Sequence, residues 1–213
     1  LAGLLGGVSF VLLPAVFAFA GRRKLFAAVR TLREIAPPRT FLHLAIVIFG
    51  LGGAALLYFT ILSPQSFHWD TRWYHLPLAQ QYALSGAVRR FPEGWWLDGF
   101  PHSASLLYAW GLSLPGSPLF DRLELCIHME FVVFVATIAS VPSLVRQLAP
   151  SIQVRGTWAA TFLFPGIFLY DSNLCGAADH IAALWCIPIA LTLIHVWSNW
   201  TWRYALPFGA LMG

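Results

Sequence analysis

Residues 41–62 read FLHLAIVIFGLGGAALLYFTIL, a run of twenty-two residues without one acidic, lysine or arginine side chain. About 20 apolar residues are enough to carry a helix across a bilayer, so Phe41–Leu62 reads as a membrane span. The rest of the chain agrees. Hydrophobic residues make up 58% and charged residues only 10%, with a mean hydropathy of +0.69. A soluble domain carries roughly 25% charged residues. Ten Trp and seventeen Phe fit broad aromatic belts at two membrane surfaces.

Outward from that run, Leu1–Ala20 reads as an earlier span. Leu123–Leu148 reads as a third, Thr157–Tyr170 as a short fourth, Ile181–Trp197 as a fifth, and Tyr204–Gly213 as the start of a sixth. Ser103–Leu114 is apolar but too short to span, and fits a re-entrant or interfacial helix. Helices satisfy their own backbone hydrogen bonds in lipid, and nothing here alternates like a barrel strand. The expected fold is therefore all-α, a polytopic transmembrane helix bundle. The chain begins inside one apolar run and ends inside another, so it reads as a piece of a longer polytopic protein.

Charge orients the spans. Arg22, Arg23, Lys24, Arg30, Arg33 and Arg39 lie between the first two, against Glu34 alone. The positive-inside rule makes that loop cytoplasmic. Alternation then places Ser63–Ser103 and Asp171–His180 together on the other side. The acids collect there: Asp70, Glu93, Asp98, Asp121, Asp171 and Asp179. The net charge of +4 is no sign of nucleic acid, because the basic residues sit between spans. Cys126, Cys175 and Cys186 form no CxxC pair and imply no disulfide framework or metal site.

The first outer segment, about forty residues by this reading, is too long for a structureless connection. Trp73–Ser85 has the pattern of an amphipathic helix lying along the membrane surface, with Trp73, Leu76, Gln80 and Leu84 on one stripe and Tyr74, Leu78 and Tyr82 on the next. Gly86 is placed to close it. Asp70 is placed either to cap this helix, to pair with Arg72, or to act chemically. Asp171-Ser-Asn fits a turn, and Asp179 fits the start of a helix, where a carboxylate suits the dipole. Glu124 and His128 share a helix face, with Glu130 deeper; all three cost free energy in hydrocarbon unless they point into the bundle.

A span ending near an aspartate, followed by Tyr74-His75-Leu76-Pro77, a surface helix closed by glycine and a Pro-rich stretch into the next span, resembles the GT-C superfamily. These are integral-membrane glycosyltransferases that use lipid-linked sugars, among them the protein O-mannosyltransferases and aminoarabinose transferases. The resemblance covers about Phe41–Trp197 and implies that residues 41–213 are the N-terminal part of a transmembrane catalytic core. Residues 1–40 would then be an extra span and its basic cytoplasmic loop.

The resemblance implies transfer of a sugar from a polyprenyl-phosphate donor to an acceptor on the non-cytoplasmic face, in a bacterial inner membrane with the active face periplasmic or extracellular. It assigns Asp70 as the catalytic base. Arg72, His75, Arg89, Arg90 and His102 are the candidates for binding the donor phosphate. Asp171 and Asp179 are the candidates for a divalent metal, Mg or Mn. The implied partners are the lipid-linked donor and membrane lipids. Asp70 and at least one of Asp171 and Asp179 are expected to meet at one outward cavity, with a cation between them. The competing reading is a transporter or a non-catalytic polytopic membrane protein.

Overall fold

The computed structural model describes residues 40–62, 69–88, 103–114, 122–151 and 179–212, together with scattered positions between 12 and 26. Leu1–Ala20 for the most part, and Thr157–Tyr170 entirely, lie outside the described residues. Every element among the described residues is helical. In chain order these are α1 (Phe41–Ile61), a π-helical turn (Thr71–His75) continuing into α2 (Leu76–Ser85), α3 (Ser103–Ser113), α4 (Arg122–Leu148), α5 (Asp179–Ser198) and α6 (Trp202–Met212). Among the described residues three stretches are long and apolar enough to cross a membrane: Phe41–Phe59, Leu123–Leu148 and Ile181–Ser198. The chain is an all-α helical bundle of a membrane protein.

The start of α1 is fixed by Thr40. Its hydroxyl accepts the His43 backbone N–H at 3.2 Å, and its carbonyl accepts that of Leu44 at 3.0 Å, which satisfies donors left open in a first turn. Apolar side chains surround α1, and most of them, Phe41, Ile48, Leu56 and Phe59 included, are exposed on the bundle surface. Among its described side chains a narrow stripe of Gly50, Gly53 and Leu57 is buried. Leu57 packs with Ile127 and Phe134 of α4, flanked by Tyr58, Phe131 and Ile138. A helix apolar all round with one thin protein-facing stripe is what lipid solvation allows.

The main core lies elsewhere. It joins Leu76, Leu78, Ala79 and Tyr82 of α2 to Ala104, Tyr108, Ala109 and Leu112 of α3, with Cys126 of α4 and Ile181 of α5. Small residues allow close helix approach, and Gly111 shows how close. A Cβ built there would lie 2.9 Å from the Cys126 sulfur and 3.1 Å from that of Met129. Cys126 is near the beginning of α4 and Ile181 near the beginning of α5, so both helices start at the end of the bundle where α2 and α3 pack.

The segment before α2 departs from an ordinary helix. The Leu76 N–H bonds to the carbonyl of Thr71, five residues back. Pro77 follows immediately; its ring crowds the carbonyl four residues earlier, and a widened turn at Thr71–His75 relieves that crowding. At the far end Gly86 takes φ 64° and ψ 14°, the left-handed conformation that closes helices.

The structure separates the two stripes of this helix. The buried face carries Thr71, His75, Leu76, Leu78, Ala79 and Tyr82. Trp73, Gln80 and Leu84, which share a stripe with Leu76, are exposed. The Tyr74–Leu78–Tyr82 stripe is the one that meets the protein. Apolar residues on two faces leave that choice open to periodicity alone.

Candidate functional site

Asp70 sits inside the helical segment rather than ahead of it, with φ −59° and ψ −37°. Its side chain makes no capping hydrogen bond and is half-buried, so capping does not explain the residue. Arg72 is exposed. On the same side, Trp69 and Trp73 stack with ring centroids 5.2 Å apart and planes 13° from parallel. One helical turn thus presents a carboxylate, a guanidinium and two indoles.

His75 points the other way. It is buried, and its Nδ1 lies 3.2 Å from the Ser105 hydroxyl of α3. Its ring meets that of Tyr108 edge-on at 6.4 Å. The Tyr108 hydroxyl in turn donates to Oε2 of Glu130 at 3.1 Å. Glu130 is fully buried within α4, so its charge-bearing group is inside the bundle, as its position in an apolar span requires. These pairs tie the turn that bears Asp70 to α3, and α3 to α4. The Cys126 thiol adds a contact to the Tyr108 carbonyl at 3.4 Å.

Glu124 and His128 do share a face, but the hydrogen bond runs to the backbone. The His128 Nδ1 lies 2.7 Å from the Glu124 carbonyl and its Nε2 3.3 Å from the Tyr58 hydroxyl. A carbonyl only accepts, so Nδ1 carries the proton and donates. Nε2, on the other side of the ring, faces the Tyr58 hydroxyl. The pair links α4 to α1, and the rings cross edge-on at 5.6 Å.

Of the residues singled out from sequence, Asp70, Arg72 and His75 occupy one helical segment, with Asp70 and Arg72 accessible and His75 directed into the core. Arg89, Arg90, His102 and Asp171 lie outside the described residues. Asp179 is the first residue of α5, and its side chain is outside the described set. Its helix begins at the end of the bundle that holds α2, because Ile181 packs there. Among the described residues no three His, Cys, Asp or Glu side chains converge as a metal site.

Sequence reading singled out Glu130 but missed Ser105 and Tyr108, the residues that join it to His75. Ser105 and Tyr108 fall at i and i+3 in a short apolar helix, a spacing that places both on one face. That spacing, with a carboxylate inside a span, was the available signal. No protein-family model matches the chain, and no curated protein or solved structure matches it.

Proposed function

We propose that the chain is the N-terminal part of the catalytic core of a GT-C-type membrane glycosyltransferase, with Asp70 as its base. Asp70 carries this reading: a half-buried carboxylate on a turn braced from behind by His75 and Ser105. A base needs both access to the acceptor and a fixed direction. In the proposed step Asp70 takes the proton of an acceptor hydroxyl. The hydroxyl oxygen forms a bond to the anomeric carbon of the donor sugar, and the bond from that carbon to the polyprenyl phosphate breaks.

The leaving phosphate gains charge, and the exposed Arg72 is the described cation best placed in sequence to meet it. Arg89, Arg90 and His102 are proposed to add to that charge. Mg or Mn held by Asp171 and Asp179 would supply further neutralisation. The proposed setting is a bacterial inner membrane, with this end of the bundle on the periplasmic or extracellular face.

A transporter is the second reading, and Glu130 favours it, since buried ionisable groups within spans line ion and substrate paths in many membrane proteins. Incubating the full-length protein in lipid with labelled polyprenyl-phosphate sugars separates the two. Transfer to an acceptor, abolished by Asp70→Asn with insertion and folding intact, supports the transferase. Wild-type turnover by Asp70→Asn refutes the role of Asp70, and movement of substrate across the bilayer without a new glycosidic bond supports transport.

A further inference from the structure

We propose that Glu130 and Tyr108 are positioning residues for Asp70: the hydrogen bond between them fixes the ring against which His75 lies, and His75 fixes the turn that carries the aspartate. The role of Asp70 in this proposal rests on the glycosyl-transfer reading; the coupling between the three elements does not.

The cost of Glu130 is the first ground. It lies within Leu123–Leu148, a stretch long and apolar enough to span, and it is fully buried. A carboxyl group there costs free energy that an apolar side chain of similar volume does not. Buried polar pairs can often be exchanged for such side chains without loss of stability. Stability therefore does not account for the residue. What a carboxyl group adds over a methionine is an acceptor in a fixed place, and its Oε2 accepts the Tyr108 hydroxyl of α3 at 3.1 Å.

The second ground is how little freedom this leaves between Tyr108 and the turn. Tyr108 is buried, and the Cys126 thiol meets its carbonyl at 3.4 Å. Both ends of the tyrosine are thus held by α4. The His75 ring stands edge-on to it, with centroids 6.4 Å apart and planes at 79°. The Nδ1 of His75 lies 3.2 Å from the hydroxyl of Ser105, three residues before Tyr108 on the same helix, so α3 registers His75 at two points. His75 closes the π-helical turn and Thr71, also buried, opens it. Asp70 directly precedes Thr71. A hydrogen-bonded turn moves as one body, and a shift of His75 redirects the carboxylate at its start. Supporting contacts of this kind hold a reacting group to its productive geometry.

The test uses the full-length protein in lipid nanodiscs. Hydrogen exchange at the amides of residues 71–76 reports the turn, the unfolding midpoint reports global stability, and turnover of labelled polyprenyl-phosphate sugar reports Asp70. Tyr108→Phe/Glu130→Met removes donor and acceptor together, so the midpoint should stay near that of the wild type. The turn amides should nevertheless exchange about ten-fold faster, and kcat should fall about 10²-fold with KM little changed. Glu130→Gln, whose amide oxygen still accepts, should restore the turn and the turnover relative to Glu130→Met; this second pair makes the same comparison should the double variant unfold. Wild-type exchange at the turn in the double variant would overturn the proposal. So would a loosened turn with unchanged turnover, which would separate the turn from Asp70. Failure of Glu130→Gln to restore the turn would show that charge rather than acceptance matters, and would turn Glu130 back towards transport. Absence of transfer by the wild type itself would refute the glycosyl-transfer reading, and the exchange comparison would still decide the coupling.

Discussion

Gly111→Ala should destabilise the bundle even though alanine is the better helix former. In an unhindered helix the change gains about 1 kcal/mol. Here the new methyl carbon falls 2.9 Å from the Cys126 sulfur and 3.1 Å from the Met129 sulfur. Met129 ends a flexible side chain and moves aside cheaply. Cys126 has a single side-chain torsion, is buried, and is tied to the Tyr108 carbonyl, so α3 and α4 must separate or the thiol must leave its rotamer. Overpacking of this kind costs about 1–3 kcal/mol. The balance is a net loss of up to about 2 kcal/mol. Removing the sulfur should reverse the sign: in a Cys126→Ala background, Gly111→Ala should gain its helix propensity of about 1 kcal/mol. A double-mutant cycle on reversible denaturant unfolding in micelles measures this, with an expected coupling of about 1–3 kcal/mol between the two positions. Equal stabilisation by Gly111→Ala in both backgrounds would show that α3 and α4 do not approach as closely as described, and would sink the argument.

Gly86→Ala should cost about 1–2 kcal/mol in the same unfolding assay, all of it from placing a side chain in the left-handed region, because nothing lies within 4 Å of the added carbon. Gly86→Asn should cost less, and equal stability of the alanine variant would mean the cap is not left-handed. Tyr108→Phe removes the hydroxyl that donates to Glu130 and should destabilise by about 1–3 kcal/mol, most of which Glu130→Met in the same background should return by removing the buried acceptor. No recovery in the double variant would show that Glu130 is held by groups other than Tyr108.

The spans and caps were readable because their causes are local. Phe41–Leu62 has no charge to interrupt it and Thr40 stands ready at its start, so the expected span and α1 end within one residue of each other. Gly86 announces its own conformation. Ser103–Leu114 was expected as a short apolar helix, and α3 is that helix. The phase of α2 was not readable in the same way. Trp73, Leu76 and Leu84 are as apolar as Leu78 and Tyr82, and hydrophobicity does not distinguish a side that faces protein from one that faces lipid. At the site, Asp70 and Arg72 stood out by their contrast with greasy neighbours. The partners of His75 did not, because the hydrogen bonds that hold it and Glu130 reach across 30 and 22 residues of sequence. No local pattern encodes a pairing at that range.

The π-helical turn also governs how this segment can vary in length. A turn closed by a hydrogen bond five residues back holds one residue more than an α-helical turn needs. Losing a residue between 71 and 75 and replacing Pro77, whose ring needs the widened turn, would tighten the turn to ordinary helix, with Trp69 and Asp70 still facing as they do and α2 in phase. Losing one between 76 and 81 would instead swing everything beyond it by about 100° and carry Tyr82 out of the core. Relatives of this chain are therefore expected to differ by a single-residue gap at the turn and to keep the length of α2 fixed, so that aligning them by the aspartate and by the closing glycine separately recovers a correspondence that one ungapped register would misplace.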